Sequence, residues 1–226
     1  MARLLLVRHG QASFGADDYD ALSGLGGEQA RVLGKSLADR GIRPSLVLRG
    51  SLRRHEQTVA GLLEGLGDDV PVSVDDGWDE FDFQRVVELH EPDYRERMGS
   101  ARAFQELFEA ATGRWCSGEY DGEYAESFPA FRSRVGGALE RTGELLKERR
   151  EVVVVSSGGP IALVASLLTA GAEAGPVTMA TMWTALNRVV VNTGVTKLVS
   201  GRSGLWLSTY NEHTHLEADP RLLTYR

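Results

Sequence analysis

Arg8, His9 and Gly10 follow directly on the apolar run Leu4–Val7. An imidazole beside a guanidinium, where glycine lets the backbone turn sharply, combines a nucleophile with an anion clamp. Imidazole attacks phosphorus when neutral, and at its ordinary pKa it is largely neutral near pH 7. Arginine forks suit phosphate oxygens because they bind through two N–H groups and keep their charge. Two further segments complete the set: Arg49 with Arg53 and Arg54, and the stretch Ser156-Ser157-Gly158-Gly159-Pro160. The second offers free backbone N–H groups at a helix start, with proline suited to the first turn. Together these residues could bind a phosphoryl group and let His9 attack it. An acid must then protonate the leaving oxygen, and Asp79, Glu80 and Asp82 in GWDEFDF are the candidates.

Such chemistry needs a scaffold that brings three distant segments together. Leu4–Val7 reads as a strand covered on both faces. GLGGEQARVLGKSLADRG has Ala30, Leu33 and Leu37 at helical spacing and stops at Gly41. Leu46–Leu48 is a second strand, and Thr58, Leu62, Leu63 and Leu66 mark a second helix. VVVVSSGGPIALVASLLTAG is a strand, turn and helix, preceded by a helix from about Phe128 to Arg150. This alternation predicts an α/β fold. The three chemical segments stand at strand carboxyl ends, where ligands collect in such sheets. LNRVVVNTG, TKLVSG and LWLSTYN read as three further strands. Residues 78–125, rich in charge and aromatics, read as an insertion forming a lid, with a helix through AFQELFEAA. With no repeat, linker or low-complexity tract, residues 1–226 are expected to form one domain.

The totals narrow the function. The net charge of −7 disfavours a nucleic-acid or acidic-membrane surface, which relies on a positive field. A small phosphorylated substrate, by contrast, needs only local cations. Cys116 is the single cysteine, so neither a disulfide framework nor a cysteine-based metal cluster is possible within the chain. Arg8 interrupts the first apolar run too early for a signal peptide, and no stretch has the length of a membrane span. A cytoplasmic protein without cofactor or metal is the expectation.

LVRHGQ, then LSGLGGEQA, then LRRHEQT resemble the histidine phosphatase superfamily, also called the phosphoglycerate mutase-like family. The similarity runs from residue 3 to about 66, touches Trp78–Asp82, and resumes from VVVVSSGGPI to YNEHTHL. It implies a three-layer sandwich with a mixed, mostly parallel central sheet flanked by helices. It also implies that His9 becomes phosphorylated, that Arg8 and Arg54 clamp the phosphate, and that Glu80 is the general acid and later helps activate water. The chain departs from the family pattern at Ser157, which stands where a second histidine is expected. A hydroxyl can still donate a hydrogen bond, but a charge-assisted bond is roughly twice as strong. Losing a transition-state donor altogether costs about 10²–10³ in rate, and a retained weaker one about tenfold. The resemblance thus implies retuned activity rather than none.

Gln11, Ser157 and Gly158 are expected to bind substrate with Arg8 and Arg54, and Gly159 to share the phosphate turn. Arg49 and Arg53 are assigned to the surface. His55 and His90 are the histidines that could replace the missing one in space, while His213 and His215, two apart, are read as structural rather than metal-binding. The leading function is a phosphomonoesterase acting on a small phosphorylated metabolite through phosphohistidine at His9. Mutase-type phosphoryl transfer ranks second, because QASFGADDYD and FDFQRVVEL lack the longer loops of the family's mutases. A weakened phosphate-ligand binding protein ranks third. Phe81, Phe83, Arg85, Tyr94, Arg95 and Trp115 are the residues expected to set specificity.

Overall fold

Strand β1 (Arg3–Arg8) sends alternate side chains to opposite faces. Leu4 and Leu6 enter one core, Leu5 and Val7 the other. Strand β4 (Glu151–Ser156) does the same, with Val152 and Val154 on one side and Val153 and Val155 on the other. Burial on both faces is why these segments are apolar throughout rather than alternating.

The computed structural model describes residues 1–13, 20–94, 101–171 and 173–225. Its sheet has six strands, completed by β2 (Leu46–Arg49), β3 (Val72–Val74), β5 (Val195–Gly201) and β6 (Gly204–Glu212), in the order β3-β2-β4-β1-β5-β6. The first four strands in that order are parallel; β5 and β6 are antiparallel additions. Helices α1 (Gly24–Asp39) and α2 (Arg53–Leu66) cover one face through Leu33, Leu37, Val59 and Leu62. The other face is covered by α3 (Phe83–His90), α4 (Ala101–Cys116), α5 (Phe128–Leu145), α6 (Gly158–Ala170) and α7 (Pro176–Asn187). This is a three-layer α/β arrangement with a mixed, mostly parallel sheet.

Local signals explain the helix limits. Ser23 and Ser127 cap α1 and α5 by accepting the N–H groups of Gly26 and Ala130. Gly67 ends α2 with φ +67°, the left-handed geometry glycine adopts without penalty. Helix α6 is buried from Gly158 to Ser166, so it is hydrophobic all round. Among the described residues, no helix is long and apolar enough to cross a membrane.

Two expectations about the elements need correction. LNRVVVNTG is not a strand. Helix α7 ends at Asn187, and the following residues form a loop in which Thr193 takes φ +57° and donates its N–H to the Arg8 carbonyl. Val190 and Val191 are apolar because the loop buries their side chains, not because they pair in the sheet, whereas Val189 is exposed. The insertion, moreover, does not merely lie over the core: Phe81, Val86, Tyr94 and Trp115 belong to the same cluster as Leu4 and Val152. Cys116 is buried there too, its thiol pushed up to about 12 by burial.

Candidate active site

Parallel pairing in register sets Arg8 opposite Ser156 and Arg49 opposite Val155. His9, Gly50 and Ser157 are therefore the first residues beyond three adjacent strand ends. His9 is fixed by its backbone: its N–H donates to Ser156 O (2.8 Å), and its carbonyl accepts from the Asn192 side chain (3.1 Å). The ring Nδ1 lies 2.7 Å from Gly10 O, which makes Nδ1 the protonated nitrogen and leaves the lone pair on Nε2. Burial, then Arg54, Arg8 and His55, hold the His9 pKa well below the ordinary imidazole value. The ring is neutral at pH 7, the state a nucleophile requires.

Two arginines face this ring in the same cavity. Arg8 donates through one guanidinium nitrogen to the carbonyls of Val190 and Tyr225. The chain's final segment is tied back to reach that position, since Gln29 donates to Leu222 O and Thr224 Oγ1, and Asn192 N–H to Thr224 O. Arg54, in the first turn of α2, donates to Asp20 Oδ1 at 2.7 Å, and Asp20 Oδ2 accepts the Arg53 N–H. One carboxylate thus begins the helix and orients its arginine.

Of the three acidic candidates, only Glu80 lines the cavity. Asp79 is used by Ser51, accepting from its N–H and hydroxyl at 2.6 and 2.5 Å. Asp82 is the N-cap of α3. Glu80 accepts the Gly159 N–H at 3.1 Å, and a side chain at position 159 would fall 2.1 Å from its carboxylate. Its pKa is raised by burial, against the opposing pull of the Gly159 N–H, Arg54 and Arg8. That direction suits a proton donor. The turn carrying it is held by Arg134 of α5, which donates to Gly77 O and Asp79 O, and by Ser156 Oγ on Trp78 O.

The cavity measures about 230 Å³. Arg8, His9, Arg54, Glu80 and Gly158 form its floor; Phe81, Phe83, Phe104, Phe108 and Trp183 form an aromatic wall. Gln105, Glu109 and Thr112 of α4, Thr184, Asn187 and Arg188 from the end of α7, with Ala12 and Tyr225, complete the lining. Arg188 pairs with Glu109 at 2.8 Å across the mouth.

Several expected residues lie elsewhere. Gln11 is not among the lining residues; its side-chain oxygen accepts from Ser23 Oγ at 2.9 Å, beside the α1 cap. Ser157 is wholly buried and also outside the lining, with its hydroxyl 2.8 Å from His55 Nε2. Arg53 is exposed, whereas Arg49 is half-buried and donates to Gly50 O, so neither enters the cavity. Of the expected specificity residues, Phe81 and Phe83 line the cavity. Tyr94 and Trp115 are core, Arg85 is paired with Glu88 outside it, and Arg95 lies outside the described residues. His90 is exposed at the end of α3. His213 and His215 bond to Asn211 O and Thr193 Oγ1, and no group of three potential metal ligands occurs among the described residues. The faces of α4 and α7 were missed because each presents apolar residues at helical spacing, which the sequence does not distinguish from core.

The model of the histidine phosphatase superfamily (branch 1) matches residues 4–212. The chain belongs to that superfamily. Among curated relatives, it is 36% identical over 108 residues to a 2,3-bisphosphoglycerate-dependent phosphoglycerate mutase of Methylobacterium sp. (strain 4-46), a match covering 44% of this chain and 51% of the relative. The chain therefore spans about half the length of that relative. Among solved structures, this superfamily member resembles a mycobacterial glucosyl-3-phosphoglycerate phosphatase (TM-score 0.63, 25% identity, 94% of this chain and 100% of that one). It also resembles the phosphoserine phosphatase of Entamoeba histolytica (0.66, 19%, 96% and 100%) and the alpha-ribazole phosphatase of Shigella flexneri (0.62, 21%, 93% and 96%). These last two likenesses bear on the fold.

Proposed function

We propose that the protein is a phosphomonoesterase working through a phosphohistidine at His9. The observation that carries this reading is a neutral, backbone-locked His9 facing Arg8, Arg54 and Glu80 in one cavity. The His9 Nε2 lone pair attacks phosphorus while the ester P–O bond breaks, and protonated Glu80 gives its proton to the departing oxygen. The new N–P bond leaves the ring cationic, and its Nδ1–H is already directed at the Gly10 carbonyl. Glu80, now a carboxylate, takes a proton from water as that water attacks phosphorus, releasing phosphate and returning His9 to neutrality. Arg8 and Arg54 stabilise the charge on the phosphoryl oxygens in both steps. No part of this scheme calls on a metal.

The wall supports an apolar or aromatic leaving group. A phosphoglycerate-type substrate carries a carboxylate that needs a cation of its own. The cation at the cavity mouth, Arg188, is paired with Glu109, whose own charge repels such a group. This favours hydrolysis of aryl or alkyl phosphates over mutase transfer.

The test is phosphate release from p-nitrophenyl phosphate, phenyl phosphate and 3-phosphoglycerate by wild type and His9→Ala, with acid-labile, base-stable phosphoenzyme measured after rapid quench. Turnover of the aryl esters with a phosphoenzyme lost in His9→Ala supports the reading. Preferential conversion of 3- to 2-phosphoglycerate overturns it in favour of the mutase.

A further inference from the structure

Histidine His55, next to the clamp arginine on α2, has no part in the scheme above, yet its surroundings are built around it. The ring is fully buried, 5.8 Å from the His9 ring and tilted 39° to it. Nε2 is 2.8 Å from Ser157 Oγ. Among the described residues Nδ1 has no hydrogen-bond partner; it faces Asp79 Oδ1 at 3.7 Å, beyond hydrogen-bond length. Leaving a buried ring nitrogen unpaired is destabilising, so a purely structural residue gains nothing from being histidine there. Room for the ring is made by the absence of a side chain at Gly50, where a Cβ would lie 2.3 Å from Asp79 Oδ1 and 2.4 Å from His55 Nδ1.

Ser157, the partner, occupies a telling place. Ser156 before it accepts the His9 N–H, and Gly158 after it lines the cavity. Its backbone therefore lies between the residue that holds the His9 N–H and one that lines the cavity, with the side chain itself buried behind that lining. Burial, with Arg54 and Arg49 nearby, holds His55 neutral, so its one ring proton sits on either nitrogen. With the proton on Nδ1, Nε2 accepts the serine proton and leaves only oxygen lone pairs for an incoming anion. With the proton on Nε2, the ring donates to Oγ and the serine proton is free to point at a phosphoryl oxygen. A bound dianion selects the second arrangement, because only there do all the dipoles point at it.

We propose that His55 is a positioning residue for phosphoryl transfer: it fixes the Ser157 hydroxyl as a hydrogen-bond donor to the phosphoryl group at His9. Two elements, α2 and the β4–α6 turn, then supply jointly a donor that one longer side chain could supply alone. The inference rests on the phosphohistidine reading.

The experiment compares wild type with His55→Ala, Ser157→Ala, the double alanine variant, His55→Gln, and the transplant His55→Ala/Ser157→His. Each is measured for kcat and KM on p-nitrophenyl phosphate, orthovanadate affinity and melting temperature. The expected result is a fall of about tenfold or more in kcat for either alanine variant, with KM little changed. The double variant should be no worse than the worse single one, because the pair acts as a unit. His55→Gln, which can place an amide donor near Nε2, should stay within a few-fold of wild type, and the transplant should recover most of the loss. Vanadate should bind more weakly to both alanine variants. Unchanged kcat and vanadate affinity in His55→Ala, or losses that multiply in the double variant, overturn the proposal. A melting temperature lowered equally by alanine and glutamine, with no difference between them in kcat, also overturns it. Should His55→Ala fail to fold, the glutamine and Ser157→Ala variants decide alone. The underlying reading fails separately, when turnover survives His9→Ala; intact phosphoenzyme with indifferent His55 variants removes only the role of His55.

Discussion

The floor and the wall of the cavity are made in opposite ways. The floor gathers Arg8, His9 and Gly158 at or just beyond paired strand ends, with Arg54 from α2 and Glu80 from the turn before α3. It is held by main-chain bonds such as His9 N–H to Ser156 O and by the register of β1 with β4. The wall consists of side chains from α3, α4, α7 and the turn before α3, held by ring packing such as Phe83 against Phe108 at 6.4 Å. Main-chain bonds fix positions to fractions of an ångström, which is what bond making requires. Ring packing tolerates shifts, which is enough for holding an apolar group. Changes in the floor should therefore act on kcat and changes in the wall on KM.

The sharpest way to break that division is His9→Ala, for which turnover should fall by about 10⁴-fold or more as the nucleophile is lost. Phosphoenzyme after alkaline quench is the measurement, and residual labelling of the variant would contradict it. Next, Arg54→Ala should lower kcat/KM about 10²–10³-fold. Asp20→Asn should have a much smaller effect, since Asp20 orients Arg54 but is not among the residues lining the cavity. Both are read from steady-state rates on p-nitrophenyl phosphate.

Glu80→Gln should cost about 10² in kcat. Its diagnostic is the pH profile of kcat/KM. Wild type should lose activity as pH rises through the raised Glu80 pKa, because the acid must be protonated, and as pH falls through the lowered His9 pKa, because the nucleophile must be neutral. The optimum then lies on the acid side of neutrality, and Glu80→Gln should erase the alkaline limb alone. The smallest effect belongs to the wall: Phe108→Ala should raise KM for phenyl phosphate about tenfold, with kcat held. Methyl phosphate should be indifferent to that change. A fall in kcat for both esters would show that wall and floor are coupled, with Trp183 the link, since its indole N–H donates to Gly159 O at 3.0 Å.

The same contrast decides what was legible in the sequence. Strand ends announce themselves, because a two-sided apolar run stopped by Arg-His-Gly or Ser-Ser-Gly-Gly can be seen without knowing its neighbours. Arg8 and His9 stand in such a stretch, whereas the roles of Arg54 and Glu80 come from the family resemblance; the cavity gathers all four. By residue type alone Asp79 and Asp82 compete with Glu80; the resemblance favours Glu80, and Ser51 and the α3 N-terminus occupy the other two. Phe104 and Phe108 repeat at helical spacing, and so does any core face; which side meets the cavity depends on packing against α3. Gln11 looked like a ligand-binding residue by proximity to His9, but an adjacent helix cap claims its side-chain oxygen. His55 was visible only as one of several spare histidines, since its meaning comes from a serine 102 positions away.

The route by which the chain reaches its floor also has a temporal side. Strand β1 is synthesised first, yet both its sheet neighbours, β4 and β5, come after residue 150, and Arg8 is steadied by the carbonyls of Val190 and Tyr225. The loops to be closed are among the longest the chain allows, and such distant contacts slow folding. A ribosome-bound chain can assemble α1 against α2 early, while its nucleophile still has no sheet to stand on. On the phosphohistidine reading, the floor is complete only late, once Val190 and Tyr225 have reached Arg8.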